Sequence, residues 1–413
     1  MPDLSDPVAA VAWLRSPAAI RERCGIVLAA ARDDRLDHFA YLPERLDPTA
    51  AYVAETIAEN YPALEVPTHS RWRHFAVGGH DRWAGLAAQL DGLSREEVGR
   101  IRFDLAVTSV LLDAGAGADW CYREPSTGVT YRRSEGLAVA SFDLFLSGAF
   151  SADRARPLRA DATGLAGMTE ARLAAAFQAG PENPLVGLDG RAALLRALGA
   201  ALEAAPVLFG VEAPRVGALF DYLARGAGPD GVDAAAILGA VLAGLGPIWP
   251  GRIGLGDVNL GDVWRHPVAA TGDLTDGLVP FHKLSQWLTY SLMEPLEDAG
   301  LPVTGIAALT GLPEYRNGGL LVDLGVLEPK HSGVFGEIHE VGSAVVVEWR
   351  ALTVALLDEL APLVRARLGK TVAEWPLPMV LEGGTWSAGR RIARERRPGG
   401  GPPIAVASDG TVF

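Results

Sequence analysis

The stretch ALTGLPEYRNGGLLVDLGVLEP occupies residues 308–329 and places Glu314, Tyr315 and Arg316 directly before an apolar run. That run has the spacing of an amphipathic helix and carries one further acid, Asp323. Burial of an unpaired charge is costly, so these charged groups either pair with each other or serve a ligand. The stretch therefore predicts a helix that begins at a functional site.

Helical periodicity continues outward from this stretch through most of the chain, for example in REEVGRIRFDLAVTSVLLDAGAG (95–117). Ser94 and Thr169 precede two such segments and are candidate helix caps. Strand signals are rare: WCYREPSTG followed by VTYRRSEG (120–136) predicts a short hairpin, and GPPIAVASDGTVF (401–413) predicts a terminal one with Asp-Gly at its turn. The sequence therefore predicts a mostly α protein.

The amino-acid composition limits the kinds of molecule that this chain is expected to bind. The chain has 413 residues, 49% of them hydrophobic, and its 50 acids against 37 Lys and Arg give a net charge of −13. Such a charge opposes binding to nucleic acid or to anionic membranes. Cys24 and Cys121 form neither a disulfide framework nor a metal-ligand spacing, and no secretory signal or run of about 18 apolar residues is present. We therefore expect a cytoplasmic protein.

The sequence contains no repeat and no clear linker that would divide the chain into domains. One interpretation of the domain organisation is a helical extension over residues 1–100 followed by a catalytic domain over residues 101–413. A single continuous unit is the other. Motifs for a P-loop or an HExxH zinc site are missing from the sequence, so we expect no metal and no cofactor.

Basic and aromatic residues cluster in SRWRHF (70–75), where Arg71, Arg73 and His74 surround a tryptophan. Guanidinium groups offer paired donors that suit a phosphate or carboxylate, so the cluster indicates anion binding. A solvated loop is the alternative.

Two further segments carry candidate pocket residues. Polar and aromatic side chains flank a loop-to-helix junction after residue 118, which is typical of a pocket wall, unless the aromatics belong to the core. A helix entered after Pro280 carries two polar or aromatic pairs at i, i+4 spacing. The candidates are Asp119, Trp120, Tyr122 and Arg133 in the first segment, and His282, Lys283, Gln286 and Trp287 in the second.

The apolar segment VEWRALTVALLDEL (347–360) contains Glu348 and Arg350, which are too close in sequence to face the same way on a helix. Each therefore needs another partner, and we expect Asp323 or Arg316 as counter-ions. Both residues join the candidate substrate-binding set.

Several motifs together carry a family resemblance. The opening stretch, SRWRHF, RSEGLAVASFD, NPLVGLDGR, VPFHKLSQWLTYSLMEPLE and LEGGTWSAGR resemble the uracil-catabolism protein four family over nearly the whole chain. This bacterial and fungal group has long been described as a domain of unknown function. The resemblance implies a role in a pathway that converts uracil through its nucleotide to a ribosylurea species and then to urea. The step assigned to this family lies at or near the breakdown of ribosylurea.

PEYRNGGLLVDLGVL (313–327) is also similar to the ADYRVPQVLVYLGAL motif of queuosine-salvage proteins, and residues 347–360 are similar to their VEIR helix. Those proteins are all-α relatives of helix-hairpin-helix DNA glycosylases and hydrolyse the N-glycosidic bond of queuosine monophosphate. The resemblance implies a glycosylase-like helical fold with a few short strands. It places Glu314 at the position of their catalytic Asp, one methylene longer, and NGG departs from their VPQ.

These resemblances imply an N-ribosyl hydrolase that releases urea from ribosylurea or its phosphate. The expected catalytic residues are Glu314, Arg316 and Asp323. Glu314 stabilises an oxocarbenium-like transition state, and Arg316 either keeps the Glu314 carboxylate ionised or pairs with Glu348. Tyr315 joins the substrate-binding set, and Asp119, Gln286 or Asp323 would hold the ureido group. The alternatives are an amidohydrolase acting on the ureido carbonyl and a non-catalytic binding or scaffold protein.

Overall fold

The computed structural model describes residues 3–113, 115–117, 119–249 and 253–407. The protein is mostly α, as the periodicity predicts. Its helices are α1 Pro7–Leu14, α2 Pro17–Arg32, α3 Leu46–Asn60, α4 Arg71–Phe75, α5 Arg82–Ala87, α6 Arg95–Leu111, α7 Arg133–Leu146, α8 Ala162–Ala166, α9 Glu170–Ala176, α10 Leu188–Ala204, α11 Pro206–Phe209, α12 Ala218–Arg225, α13 Ala234–Leu245, α14 Lys283–Asp298, α15 Tyr315–Asp323, α16 Gly333–Gly336, α17 Ala344–Leu368, α18 Leu377–Met379 and α19 Ser387–Arg396.

Shorter helical turns complete the scaffold. A π-helix, Val380–Trp386, joins α18 to α19. The 3-10 turns are Pro43–Arg45, Val77–Gly79, Gly246–Ile248, Pro267–Ala269, Ile306–Ala308 and Pro398–Gly400. Within the described ranges, no helix is both long and apolar enough to cross a membrane.

Strands are short and pair in twos across the described part of the chain. The predicted hairpin is confirmed, because Cys121–Arg123 pairs antiparallel with Thr130–Arg132. The tail differs from the prediction: Ala405–Ala407 pairs in parallel with Ile338–Glu340, and the expected turn and second arm fall at 408–413, outside the described residues. The strands are β1 Phe39–Tyr41, β2 Cys121–Arg123, β3 Thr130–Arg132, β4 Val232–Asp233, β5 Gly254–Leu255, β6 Val258–Asn259, β7 Val263–Arg265, β8 Leu278–Pro280, β9 Val303–Thr304, β10 Leu327–Pro329, β11 Ile338–Glu340 and β12 Ala405–Ala407.

Local side-chain caps start several helices at the residues that the sequence indicates. Ser94 Oγ accepts from Glu97 N (3.2 Å) at α6, and Thr169 Oγ1 accepts from Arg172 N (3.2 Å) at α9. Each cap satisfies a backbone N–H that has no partner within its helix. Both predicted caps are therefore confirmed.

The core is built around α17, which is buried along most of its length and packs against α2, α3 and α15. One apolar cluster runs from Ile20 to Ile404, so side chains from the first hundred residues share it with the rest of the chain. The division at residue 100 stays a prediction, but the site below is positioned by this shared core.

The double glycine of the opening stretch lets α15 approach its neighbours closely. A Cβ at Gly318 would stand 2.7 Å from the Trp349 ring and 2.8 Å from Thr353 Oγ1 on α17. On the other side, a Cβ at Gly389 of α19 would stand 2.2 Å from the backbone oxygen of Arg316. Small residues at these contacts therefore fix the distance of α15 from α17 and α19.

Gly318→Ala is expected to destabilise the protein by about 1–3 kcal/mol, because a methyl group must displace a packed indole. Gly25→Ala is the matched control, since Gly25 is also inside a helix but has open space around its Cβ position. The control is expected to gain about 0.5–1 kcal/mol. Urea unfolding of both variants checks this, and equal midpoints would contradict it.

Candidate active site

A pocket of about 340 Å³ lies where α4, the chain after α6 and the starts of α7, α14 and α15 meet the π-helix and the chain after α19. Its size is that of a small-molecule site, and charged and aromatic side chains line it. The lining residues are His69, His74, Asp113, Gly115, Ala116, Gly117, Arg133, Ser134, Lys283, Leu284, Trp287, Leu312, Glu314, Tyr315, Arg316, Trp386, Gly400, Gly401 and Pro402.

Glu314 is the N-cap of α15. Its backbone is extended, and its Oε2 accepts from Arg316 N (2.8 Å) and Asn317 N (3.3 Å). The carboxylate thus lies at the helix N-terminus, where free N–H groups and the helix dipole favour negative charge. The local sequence therefore fixes this carboxylate at the start of α15.

Lys283 is the first residue of α14, and its position is fixed by a buried ion pair. Its backbone N donates to Asp262 Oδ2 (3.0 Å), while both oxygens of Asp262 accept from the Arg350 guanidinium (2.8 Å each). Burial alone would raise the pKa of Asp262, but Arg350 holds it well below the usual range. The preceding residue, His282, adopts a left-handed backbone (φ +48°) and forms a hydrogen bond from its Nε2 to Leu14 O (2.9 Å).

The Lys283 ammonium stands among acids. Burial lowers its pKa, and the Glu314 carboxylate is the strongest influence that opposes this shift. Asp262 and Asp113 also favour the charged form, whereas Arg350 disfavours it. A buried lysine beside two pocket carboxylates has the electrostatics of a proton-transfer group.

Asp113 provides the second carboxylate of the pocket. Its Oδ2 accepts from Arg71 Nη1 (2.7 Å), and Arg71 Nε donates to Ser109 Oγ (2.7 Å). Burial raises the pKa of Asp113, while Arg71 and a hydrogen bond from Ser134 oppose the rise. Arg71 is thus fully buried behind Asp113 and holds that acid in place, instead of offering itself to an external anion.

Aromatic rings form the wall on the side of the π-helix. The His74 ring lies between two tryptophans, with centroids 5.8 Å from Trp287 and 6.2 Å from Trp386. Nearby, His69 Nδ1 lies 2.5 Å from Glu382 Oε2. Burial, followed by the charge of Arg71, lowers the pKa of His74 well below its ordinary value. His74 is therefore neutral at pH 7 and cannot act as the cation that the sequence suggested.

The pocket gathers seven of the candidate residues: His74, Arg133, Lys283, Trp287, Glu314, Tyr315 and Arg316. Three others position this set. Gln286 Nε2 donates to Thr310 Oγ1 (2.7 Å), and Thr310 N donates to Gln286 Oε1 (3.0 Å). This pair fastens α14 to the segment that leads into Glu314. His282 and Arg350 fix the start of α14 as described above.

The remaining candidates of the first two segments lie outside the pocket. Arg73 pairs with Glu294, and the Tyr122 hydroxyl donates to Asp143 Oδ2 (2.7 Å). Trp120 is fully buried, and its Nε1 donates to Phe177 O (3.0 Å), so its alternative reading as a core residue fits the structure. Asp119 is exposed and absent from the pocket lining.

The expected pairing of Glu348 and Arg350 with Asp323 or Arg316 does not occur in the described chain. Asp323 accepts two hydrogen bonds from Arg397 (2.6 Å each), which removes it from the catalytic set. Glu348 is completely buried; its Oε1 accepts from Phe39 N (2.8 Å), and its Oε2 lies 3.4 Å from His266 Nε2. These partners are distant in sequence, so spacing along one helix could not reveal them.

Among the polar and aromatic side chains that line the pocket, the sequence did not point to His69, Asp113 or Trp386. Two had a visible signal. Asp113 is an acid that ends the apolar run of α6 before a glycine, and Trp386 lies within the motif LEGGTWSAGR. Among the residues with described positions, no three His, Cys, Asp or Glu side chains are grouped so that they could hold a metal ion.

A mostly α-helical scaffold with a pocket of this composition defines a protein with a candidate small-molecule active site. The chain belongs to the family described as "Protein of unknown function (DUF1688)", which matches residues 13–413. It is 40% identical to Protein urg3 of Schizosaccharomyces pombe over 410 residues, 98% of this chain and 99% of the relative. It is 37% identical to Uracil catabolism protein 4 of Lachancea kluyveri over 437 residues, again 98% and 99%.

Proposed function

We propose that the protein is an N-ribosyl hydrolase of uracil catabolism, which cleaves the C–N glycosidic bond of a ribosylurea and releases urea. The observation that carries the proposal is the placement of the Glu314 carboxylate and the Lys283 ammonium in one pocket, with Asp113 as a second acid. The name of the Lachancea kluyveri relative supports the pathway.

Glu314 supplies the negative charge that the reaction needs. Cleavage of a ribosyl C–N bond develops positive charge on the sugar, and a fixed carboxylate stabilises that charge in the transition state. The same carboxylate orients the attacking water and takes its proton. Because its position is set by the N-cap of α15, Glu314 needs no rearrangement during the reaction.

Lys283 supplies the proton. As the bond between C1′ and nitrogen breaks, the electron pair goes to the ureido nitrogen, which takes a proton from the ammonium and leaves as urea. Burial lowers the pKa of Lys283 and so makes it a better donor near neutral pH. Asp113 lies in the same lining and can accept hydrogen bonds from the ureido N–H groups.

We also infer that the turn before α15 corresponds to the hairpin of helix-hairpin-helix glycosylases. This is supported by the way α14 clamps the turn: Gln286 bonds Thr310 through both side-chain atoms, and Tyr290 OH donates to Thr310 O (2.7 Å). In this interpretation α15, which begins after its N-cap Glu314, is the second helix of the hairpin.

The decisive test is a product assay with purified protein. Incubation with ribosylurea and with its 5′-phosphate is expected to release urea together with ribose or ribose 5-phosphate. Ammonia and carbon dioxide as the first products would instead indicate an amidohydrolase. Binding of both compounds without turnover would indicate a non-catalytic protein, and either result would overturn the proposal.

A further inference from the structure

Arg316 is a buried residue of the pocket, and its guanidinium has no counter-ion in the part of the chain that the structure describes. The residue is 8% exposed, and its guanidinium lies over the rings of Tyr315 (5.1 Å) and Trp386 (5.2 Å). Among the described residues, no oxygen accepts a hydrogen bond from it and no carboxylate pairs with it. Burial of an unpaired charge costs several kcal/mol, so this group indicates an anionic ligand.

Other arginines surround the same tryptophan. The Arg390 guanidinium lies 5.5 Å from the Trp386 ring and donates to Glu135 Oε1 (2.8 Å). Arg133 lines the pocket and is exposed. The pKa of Arg394 is lowered by Arg390, by burial and then by Arg316 and Arg133, which shows how closely these cations are grouped.

This grouping is unusual for a protein with a net charge of −13. Most other arginines near the pocket have acids of their own: Arg71 has Asp113, and Arg73 has Glu294. Arg390 likewise has Glu135, whereas Arg316 has no such carboxylate among the described residues. A dianion with several acceptor oxygens forms stronger hydrogen bonds with guanidinium groups than a neutral sugar does.

We propose that Arg316, together with Arg133, binds a phosphomonoester group of the substrate, so that the pocket takes the ribosyl compound as its 5′-phosphate. This inference rests on the proposed function for the identity of the substrate. Arg316 and Glu314 flank the start of α15, so the phosphate end and the reacting C1′ end of one ribose occupy neighbouring parts of the pocket. The anion-binding group is thus different from the cluster at residues 70–75.

Binding of ribose 5-phosphate, ribose and inorganic phosphate by calorimetry tests the anion site without any turnover. We expect wild-type protein to bind ribose 5-phosphate about tenfold or more tightly than ribose, which corresponds to one charged hydrogen-bonding group. Arg316→Met keeps an apolar contact with Trp386 and is expected to lose this preference. Arg367→Met, at an exposed arginine of α17 paired with Asp47, is expected to retain it.

Because Arg316 is buried, Arg133→Gln serves as a second variant at an exposed position and should weaken the preference in the same direction. Ribose 5-phosphate binding that depends on Arg316, in protein that releases no urea, would uphold the anion site and refute the proposed function. Urea release at equal kcat/KM from both forms of ribosylurea, with no preference for ribose 5-phosphate, would refute the anion site and uphold the function.

Discussion

Glu314→Gln is expected to lower kcat for urea release about 10²- to 10³-fold, the loss seen when one preorganised electrostatic group is removed from an active site. Glutamine keeps the side-chain oxygen that caps α15 through Arg316 N and Asn317 N, so the helix start should persist. Substrate binding should change only a few fold. Single-turnover kinetics, which separate binding from chemistry, measure both quantities.

Asp233→Asn is the matched control, because Asp233 is also an acidic N-cap. Its Oδ1 accepts from Ala235 N (2.7 Å) and Ala236 N (3.4 Å) at the start of α13, and it is absent from the pocket. The control should retain full activity. Near-normal turnover by folded Glu314→Gln protein would refute the catalytic role of this carboxylate.

Lys283→Arg is expected to lower kcat about 10²- to 10⁴-fold, the usual contribution of a general acid. Arginine keeps the positive charge beside Glu314 but cannot release its proton, because its pKa is far above working pH. Lys283→Met, which removes the charge as well, should lose at least as much. Lys370→Arg is the control, since Lys370 lies over the Trp375 ring and not in the pocket.

The pH profile separates proton donation from simple charge. Lys283 donates only when protonated, so wild-type kcat should fall as pH rises through its pKa, which burial places below the ordinary lysine value. The residual activity of Lys283→Arg should lack this alkaline fall. If the arginine variant turned over within a few fold of wild type, Lys283 would supply charge alone and the proton donor would have to be another group.

Some residues of the candidate site could be predicted from local patterns in the sequence. Glu314 was recognisable as an acid directly before an amphipathic helix, and Lys283 and Trp287 as a pair one turn apart at the start of another. Both patterns are local, since caps and i, i+4 spacing act within one turn of helix. Asp113, by contrast, became a site residue only because α6 ends beside α14 and α15.

The amino-acid sequence by itself determined the mostly α class, the caps at Ser94 and Thr169 and the β2–β3 hairpin, because each depends on residues a few positions apart. The tertiary structure alone decided which charges pair. Arg350 pairs with Asp262, which is 88 residues away in the sequence, and Asp323 pairs with Arg397, which is 74 residues away. Only packing across the core brings such partners together, and among the described residues that packing leaves the Arg316 guanidinium at the pocket without a paired carboxylate.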